Sequence, residues 1–194
     1  MTQMFDSCKL LTSLNLSHLN TSKVSSMNLM FNGCSSLKIL DISKFNTSKV
    51  TNMNSIFACS RSLIPFNLSS FNTSKVTDMS YMLSGYNSSI PLNLSNFITS
   101  SVTKMTSIFK GCSFLTSLDL SNFDTSMVND MNFMFSECIS LQYINLKNFT
   151  ETKLTSFTDM FKLIPDNAVI CLNENNNIIL NQLKQNIKCF TIDC

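Results

Sequence analysis

Apolar residues return along this chain at a fixed interval of 26 positions. Leu14, Leu40, Phe66, Leu92, Leu118 and Ile144 make one column, and Leu16, Ile42, Leu68, Leu94, Leu120 and Leu146 follow it in step. Further columns run through Leu19, Phe45 and Phe71, through Val24, Val50 and Val76, and through Met27, Met53 and Met79. Four residues after the last of these come Phe31, Phe57, Leu83, Phe109, Phe135 and Phe161. One such unit cannot bury its own apolar face, whereas stacked units lay each column on its counterpart one unit away.

The two halves of a unit have different periods. Alternation in Leu40-Asp41-Ile42 predicts a short strand with one apolar face. Val50, Met53, Ile56 and Phe57 fall at helical spacing and predict a short helical turn, with Thr51, Thr77 and Thr103 as N-caps and Gly33, Gly85 and Gly111 at its end. The expected fold is therefore α/β, with one strand and one helical turn in each repeating coil. Departures fall in the third and fourth units, where Cys59 comes one place early, Tyr86 takes the usual Cys position and Ser89 replaces a Leu, with Ile90 expected to compensate. Residues 84–91 should pack least well.

Residues 1–161 read as six units, the first incomplete, because Met1, Met4, Phe5 and Cys8 stand one full interval before Met27, Met30, Phe31 and Cys34. Such a start predicts an open first coil, with Leu11, Leu14 and Leu16 available for self-association. Residues 162–194 read as a strand-helix-strand cap: Val169 to Leu172 keep the phase, Ile179, Leu180, Leu183 and Ile187 share a helical face, and Cys189 to Ile192 form a last strand.

Composition narrows the class. Hydrophobic residues are 44% of the 194 and charged residues 13%, which excludes disorder. The formal charge of +2 comes from 14 basic and 12 acidic residues with no basic block along the chain, so nucleic acid is not an expected partner. No apolar run approaches the roughly 20 residues that span a bilayer. Met1 to Lys9 lacks the basic-then-apolar layout of a secretory signal. Sequons such as Asn20, Asn46 and Asn72 arise by chance in so Asn- and Ser-rich a chain.

Candidate chemistry is sparse. Cys8, Cys34, Cys112 and Cys138 share a column and read as buried thiols, with no His, Asp or Glu at zinc-ligand spacing, so no metal site is expected. Cys171, Cys189 and Cys194 leave the register; alternation turns Cys171 away from the core, where it can pair with Cys189 or Cys194 and pin the cap. His18, the single histidine, shares with Lys44, Ser70, Asn96, Asn122 and Asn148 a column that reads as solvated. No catalytic constellation is visible, so no enzyme is expected. Asn15, Asp41, Asn67, Asn93, Asp119 and Asn145 form a polar column facing outward from the strands, flanked by Ser17, Ser43, Ser69, Ser95 and Ser121. This column, together with Tyr143, is the candidate ligand face. The variable positions Ser13, Ile39, Pro65, Pro91, Ser117 and Tyr143 are the candidates for selectivity.

With L-x-x-L-x-L-x-x-F, N-F-D-T-S-x-V and M-x-x-M-F-x-x-C in hand, the chain resembles the BspA-like leucine-rich repeats, and more closely their mycoplasma-lipoprotein-type surface repeat, which has this same period. Leu118 to Cys138, LDLSNFDTSMVNDMNFMFSEC, carries the resemblance most clearly. It implies a leucine-rich-repeat-like solenoid at the cell surface or outside the cell. It also implies an adhesin-like role toward protein or glycan on another cell or host surface, without enzymatic activity or cofactor. The rival expectation is an intracellular leucine-rich-repeat scaffold.

Overall fold

Residues 1–63, 67–173 and 175–186 are described by the structure, a computed structural model. Strands β1 (Ser13–Asn15) and β2 (Ile39–Asp41) pair in parallel, Leu14 opposite Leu40. Strands β3 (Ser117–Asp119), β4 (Tyr143–Leu146) and β5 (Val169–Leu172) pair in that order, with Leu118 opposite Ile144 and Ile144 opposite Ile170. Every strand residue thus faces its equivalent one unit on. Each unit is a coil laid on the previous one.

The strand side is interrupted. Among the described residues the units of Leu68 and of Leu92 to Leu94 contain no strand. Proline is the cause we assign in the second case. Ile39 and Tyr143 donate their N–H to Thr12 O (3.3 Å) and Thr116 O (3.2 Å) of the preceding coil, and Pro91 in that column has no proton to give. Pro65 and Phe66, the equivalents one unit earlier, lie outside the described residues. Ser89 and Ile90 are both exposed, so Ile90 does not replace the missing leucine; Tyr86 is buried instead.

The second half of each coil is not a helical turn. Among the described residues the α-helix is α1 (Asn177–Asn186), near the C-terminal end. Alternate N–H groups of the Met-to-Phe segment point along the stack instead: Met79, Tyr81, Leu83 and Gly85 donate to Lys104, Thr106, Ile108 and Lys110 carbonyls of the next coil at 2.7–3.0 Å. Intervening groups close local turns, as Met82 N–H does on Met79 O (3.1 Å). That alternation requires left-handed backbone at two sites per coil. Gly85 takes one of them (φ 72°) and Tyr81 the other (φ 57°). The same ladder crosses every junction from Gln3 to Glu137, and parallel bridges Ser26–Asn52–Asp78–Lys104–Asp130–Ser156 mark its start. Thr51, Thr77 and Thr103 therefore cap no helix; their hydroxyls donate to Ser25 O, Thr51 O and Thr77 O of the coil before.

Between the two sides the apolar columns stack. Phe5–Phe31, Phe31–Phe57, Phe109–Phe135 and Phe135–Phe161 lie 5.5–5.8 Å apart, centroid to centroid. Thiols of Cys34, Cys112 and Cys138 are free and buried, and donate to Phe5 O, Leu83 O and Phe109 O. Ser60 fills the same column with a hydroxyl on Phe31 O (2.6 Å), which releases Cys59 to the surface. Burial pushes the Cys34 thiol up to about 11 and raises Cys112 well above the ordinary value, so both remain protonated donors.

At each corner a buried threonine ties the coils. Thr47 Oγ1 donates to Asn72 O (2.9 Å) and accepts from Asn72 N–H (2.7 Å); Thr21 and Thr73 do the same for Asn46 and Ile98. The chain after the last coil is held by Glu151, whose two carboxylate oxygens accept from Ile178 and Ile179 N–H at 2.9 and 2.6 Å at the start of α1. Asn176 Nδ2 adds a buried bond to Phe149 O. The predicted last strand lies outside the described residues.

Candidate binding face

The outward column of the strand side turns out to be a series of Asx turns. Asn15 Oδ1 accepts from Ser17 N–H (2.9 Å) and Oγ (2.7 Å), Asp41 Oδ1 from Ser43 N–H (3.1 Å) and Oγ (2.7 Å), and Asn93 Oδ1 from Ser95 N–H (3.1 Å) and Oγ (2.8 Å). Asn67, Asp119 and Asn145 accept the N–H of Ser69, Ser121 and Lys147. A short acceptor two residues before a bend is what this turn needs, and Asn or Asp supplies it. Bonds from the Ser43 hydroxyl and amide hold the Asp41 carboxyl below its ordinary value of 3.8.

Most of the column is exposed, with Asp41 and Asn145 half-buried. Pairing sets Asn15 beside Asp41, Asp119 beside Asn145, and exposed Tyr143 beside exposed Val169. Where the sheet is interrupted the candidates gather in two grooves. Asp41 and Asn67 line one of about 290 Å³ with Ile39 and Leu63; Asn93 and Asp119 line another of about 340 Å³ with Pro91 and Asn122. Both mix apolar walls with a few fixed polar groups, the composition of binding sites.

Cys171 corrects the alternation argument. It keeps the register opposite Asn145, yet it is only 1% exposed, and β5 has Ile170, Cys171 and Leu172 all buried, as in a strand covered on both faces. It is disulfide-bonded, and Cys189 and Cys194 lie outside the described residues.

Two sets of residues with structural roles escaped the sequence reading. Asn96 Nδ2 donates to Leu68 O (3.1 Å) and Phe71 O (3.0 Å), and Asn122 Nδ2 to Leu94 O and Phe97 O, both at 3.0 Å; the column read as solvated stitches coil to coil. The buried threonines were the second. Their signal was present, since Thr21, Thr47, Thr73, Thr99 and Thr125 recur while the preceding column changes from Asn20, Asn46 and Asn72 to Ile98 and Asp124. Among the described residues no group of three His, Cys, Asp or Glu is placed to hold a metal ion, and no helix is long and apolar enough to cross a membrane.

A sequence family described as Mycoplasma protein of unknown function, DUF285, matches residues 1–90 and 84–167. The chain belongs to that family. Among solved structures, this DUF285 chain resembles a leucine-rich repeat protein from Bacteroides ovatus at 18% identity and a TM-score of 0.50, over 89% of this chain and 42% of that one. A Treponema pallidum (T. pallidum) leucine-rich repeat protein aligns at 15% identity and a TM-score of 0.46, over 100% and 78% of the two chains. The first likeness shows a leucine-rich-repeat fold. The chain spans less than half the length of the Bacteroides ovatus protein. No curated protein matches it.

Proposed function

We propose that this DUF285 chain is a non-enzymatic binding module: a continuous solenoid of mycoplasma-lipoprotein-type repeats, displayed at the cell surface or secreted, that engages protein or glycan in an adhesin-like way. The observation that carries this reading is the pair of grooves at the sheet interruption, where four of the seven candidate face residues stand with exposed Ile39 and Pro91 at their margins. The buried corner threonines and the Asn96 and Asn122 amides are committed to holding coil on coil, while the outward positions Ser13, Ile39, Pro91, Ser117 and Tyr143 vary from unit to unit. A rigid scaffold with variable outward positions is how repeat proteins present a binding surface.

Labelled protein incubated with cultured animal cells tests it, with and without prior protease or glycosidase treatment of the cells. Saturable binding is expected, weakened by Tyr143→Ala and Ile39→Ser in protein that melts like wild type. Binding that is absent, or indifferent to both substitutions, would remove the strand side as the binding face.

A further inference from the structure

Lys23, Lys49 and Lys75 occupy the same position in three successive units, and all are exposed. Folding puts them in one column. On one side Thr51 N–H bonds Ser25 O and Thr77 N–H bonds Thr51 O, both at 2.8 Å; on the other, Asn46 and Asn72 N–H bond the Thr21 and Thr47 hydroxyls, both at 2.7 Å. Held in register on both sides, neighbouring lysines stand one coil apart, about 4.8 Å at the backbone. None of the three is in an ion pair among the described residues, where the pairs are Lys110–Glu137 and Lys162–Asp159.

Beside the ammonium column runs a second row of donors. Asn20, Asn46 and Asn72 each spend Oδ1 on the N–H and hydroxyl of Ser22, Ser48 or Ser74. Their amide Nδ2 groups are exposed and bond nothing among the described residues. The corner of the first three coils therefore offers three cations and three amide donors in parallel rows. It ends abruptly, because the fourth coil has Ser101 and Ile98 in these columns and the fifth has Met127 and Asp124. Residues 1–80 carry seven basic side chains against three acidic ones, and the rest of the chain seven against nine.

We propose that this corner binds a linear acidic polysaccharide. The row spacing is comparable to the rise of one sugar residue, so successive sulfate or carboxylate groups can meet successive lysines while the amides meet ring hydroxyls. A single-stranded nucleic acid fits less well, since among the described residues the exposed aromatics Tyr81, Phe114 and Tyr143 belong to other columns and none forms a stacking platform beside the lysines. The proposal names a ligand class within the binding-module reading but uses a different face from the strand-side grooves.

Heparin is the probe. The 194-residue chain should bind it with an affinity that falls steeply with salt, and the triple variant Lys23→Gln, Lys49→Gln, Lys75→Gln should bind at least ~30-fold more weakly with an unchanged melt. Lys104→Gln, Lys147→Gln, Lys184→Gln removes the same charge elsewhere and should weaken binding less than about threefold. Equal losses in the two triples, no binding at low salt, or tighter binding of oligodeoxythymidine through the same lysines would each overturn the proposal. Tyr143→Ala and Ile39→Ser should leave heparin binding intact, so failure of this corner and failure of the strand side are separately visible.

Discussion

The two long sides of the coil stack hold together by different means. On the strand side the pairing among the described residues comes in two pieces, β1–β2 and β3–β4–β5, separated by coils whose described residues show none. On the turn side one ladder of backbone bonds crosses every junction from Gln3 to Glu137. The strand side carries the familiar leucine signature, yet the side made of consecutive turns provides the unbroken spine. Where the strands lapse, the Asn96 and Asn122 amides reach back to carbonyls of the previous coil; where β1 and β2 pair, the same column holds His18 and Lys44. Side-chain bonds stand in where backbone pairing fails and add to it across β3–β4, where Asn148 Nδ2 donates to Ser121 O.

That comparison can be broken most sharply with proline. Thr103→Pro removes the N–H that bonds Thr77 O at 2.9 Å in the spine and should cost about 3 kcal/mol. Ser117→Pro places proline in a column that already contains Pro91 and should cost under ~1 kcal/mol. Urea unfolding of both proteins decides it, and equal losses would mean the turn side is no more a spine than the sheet.

Asn122→Ala comes next. It strips a donor from Leu94 O and Phe97 O and should destabilise by about 2 kcal/mol, while Lys44→Ala in the same column stays within ~0.5 kcal/mol. A small loss at Asn122 would show that water replaces the stitch at no cost.

A smaller effect concerns the left-handed positions of the spine. Leu163 is 63% exposed at φ 61°, and Leu163→Gly should stabilise by about 1 kcal/mol. In the reverse sense Gly85→Ala should destabilise by a similar ~1 kcal/mol, since an added Cβ would meet only ordinary contacts, the nearest being Cys59 Cα at 3.7 Å. Thermal melts of the two variants should move in opposite directions.

The smallest expected effect is one of pH. Bonds from the Ser126 hydroxyl and amide lower Asp124 below its ordinary 3.8. A carboxyl depressed by folding adds stability above its unfolded value and loses it as pH falls through the folded one. Asp124→Asn, which restores the residue found at Asn20, Asn46 and Asn72, should keep the turn and remove this contribution. Melting temperatures of variant and wild type should therefore converge on acidification below 3.8 from whatever gap separates them at neutral pH.

Periodicity along the chain made the coil length, the core columns and the burial of Cys34, Cys112 and Cys138 legible, while Cys8 of the same column is only half-buried. It failed on the second half-coil for a definable reason. Val50, Met53, Ile56 and Phe57 satisfy a helical template, but a run of turns also sends such residues inward, and nothing about Leu29, Tyr81 or Phe133 announces a positive φ. Only Gly33, Gly85 and Gly111 hinted at it. Of the candidate face, the Asn/Asp column and its outward aspect were legible; the grooves were not, because they depend on which coils lack strands. Lys23, Lys49 and Lys75 were invisible as a patch, since a search along the chain for basic runs cannot see residues brought together by the repeat itself.

The corner threonine has a consequence for how such arrays change over generations. Its one hydroxyl grips both the N–H and the C=O of a single residue 25 positions ahead, and so works as a gauge of unit length. An insertion or deletion of a few residues inside a coil would present the wrong backbone groups to it and strand two polar groups in a buried corner. Loss or gain of a whole unit would leave every gauge satisfied. Recombination between repeats should therefore lengthen or shorten the array only in steps of one complete unit, and point substitution should be confined to the outward positions, so that length and surface vary independently on one scaffold.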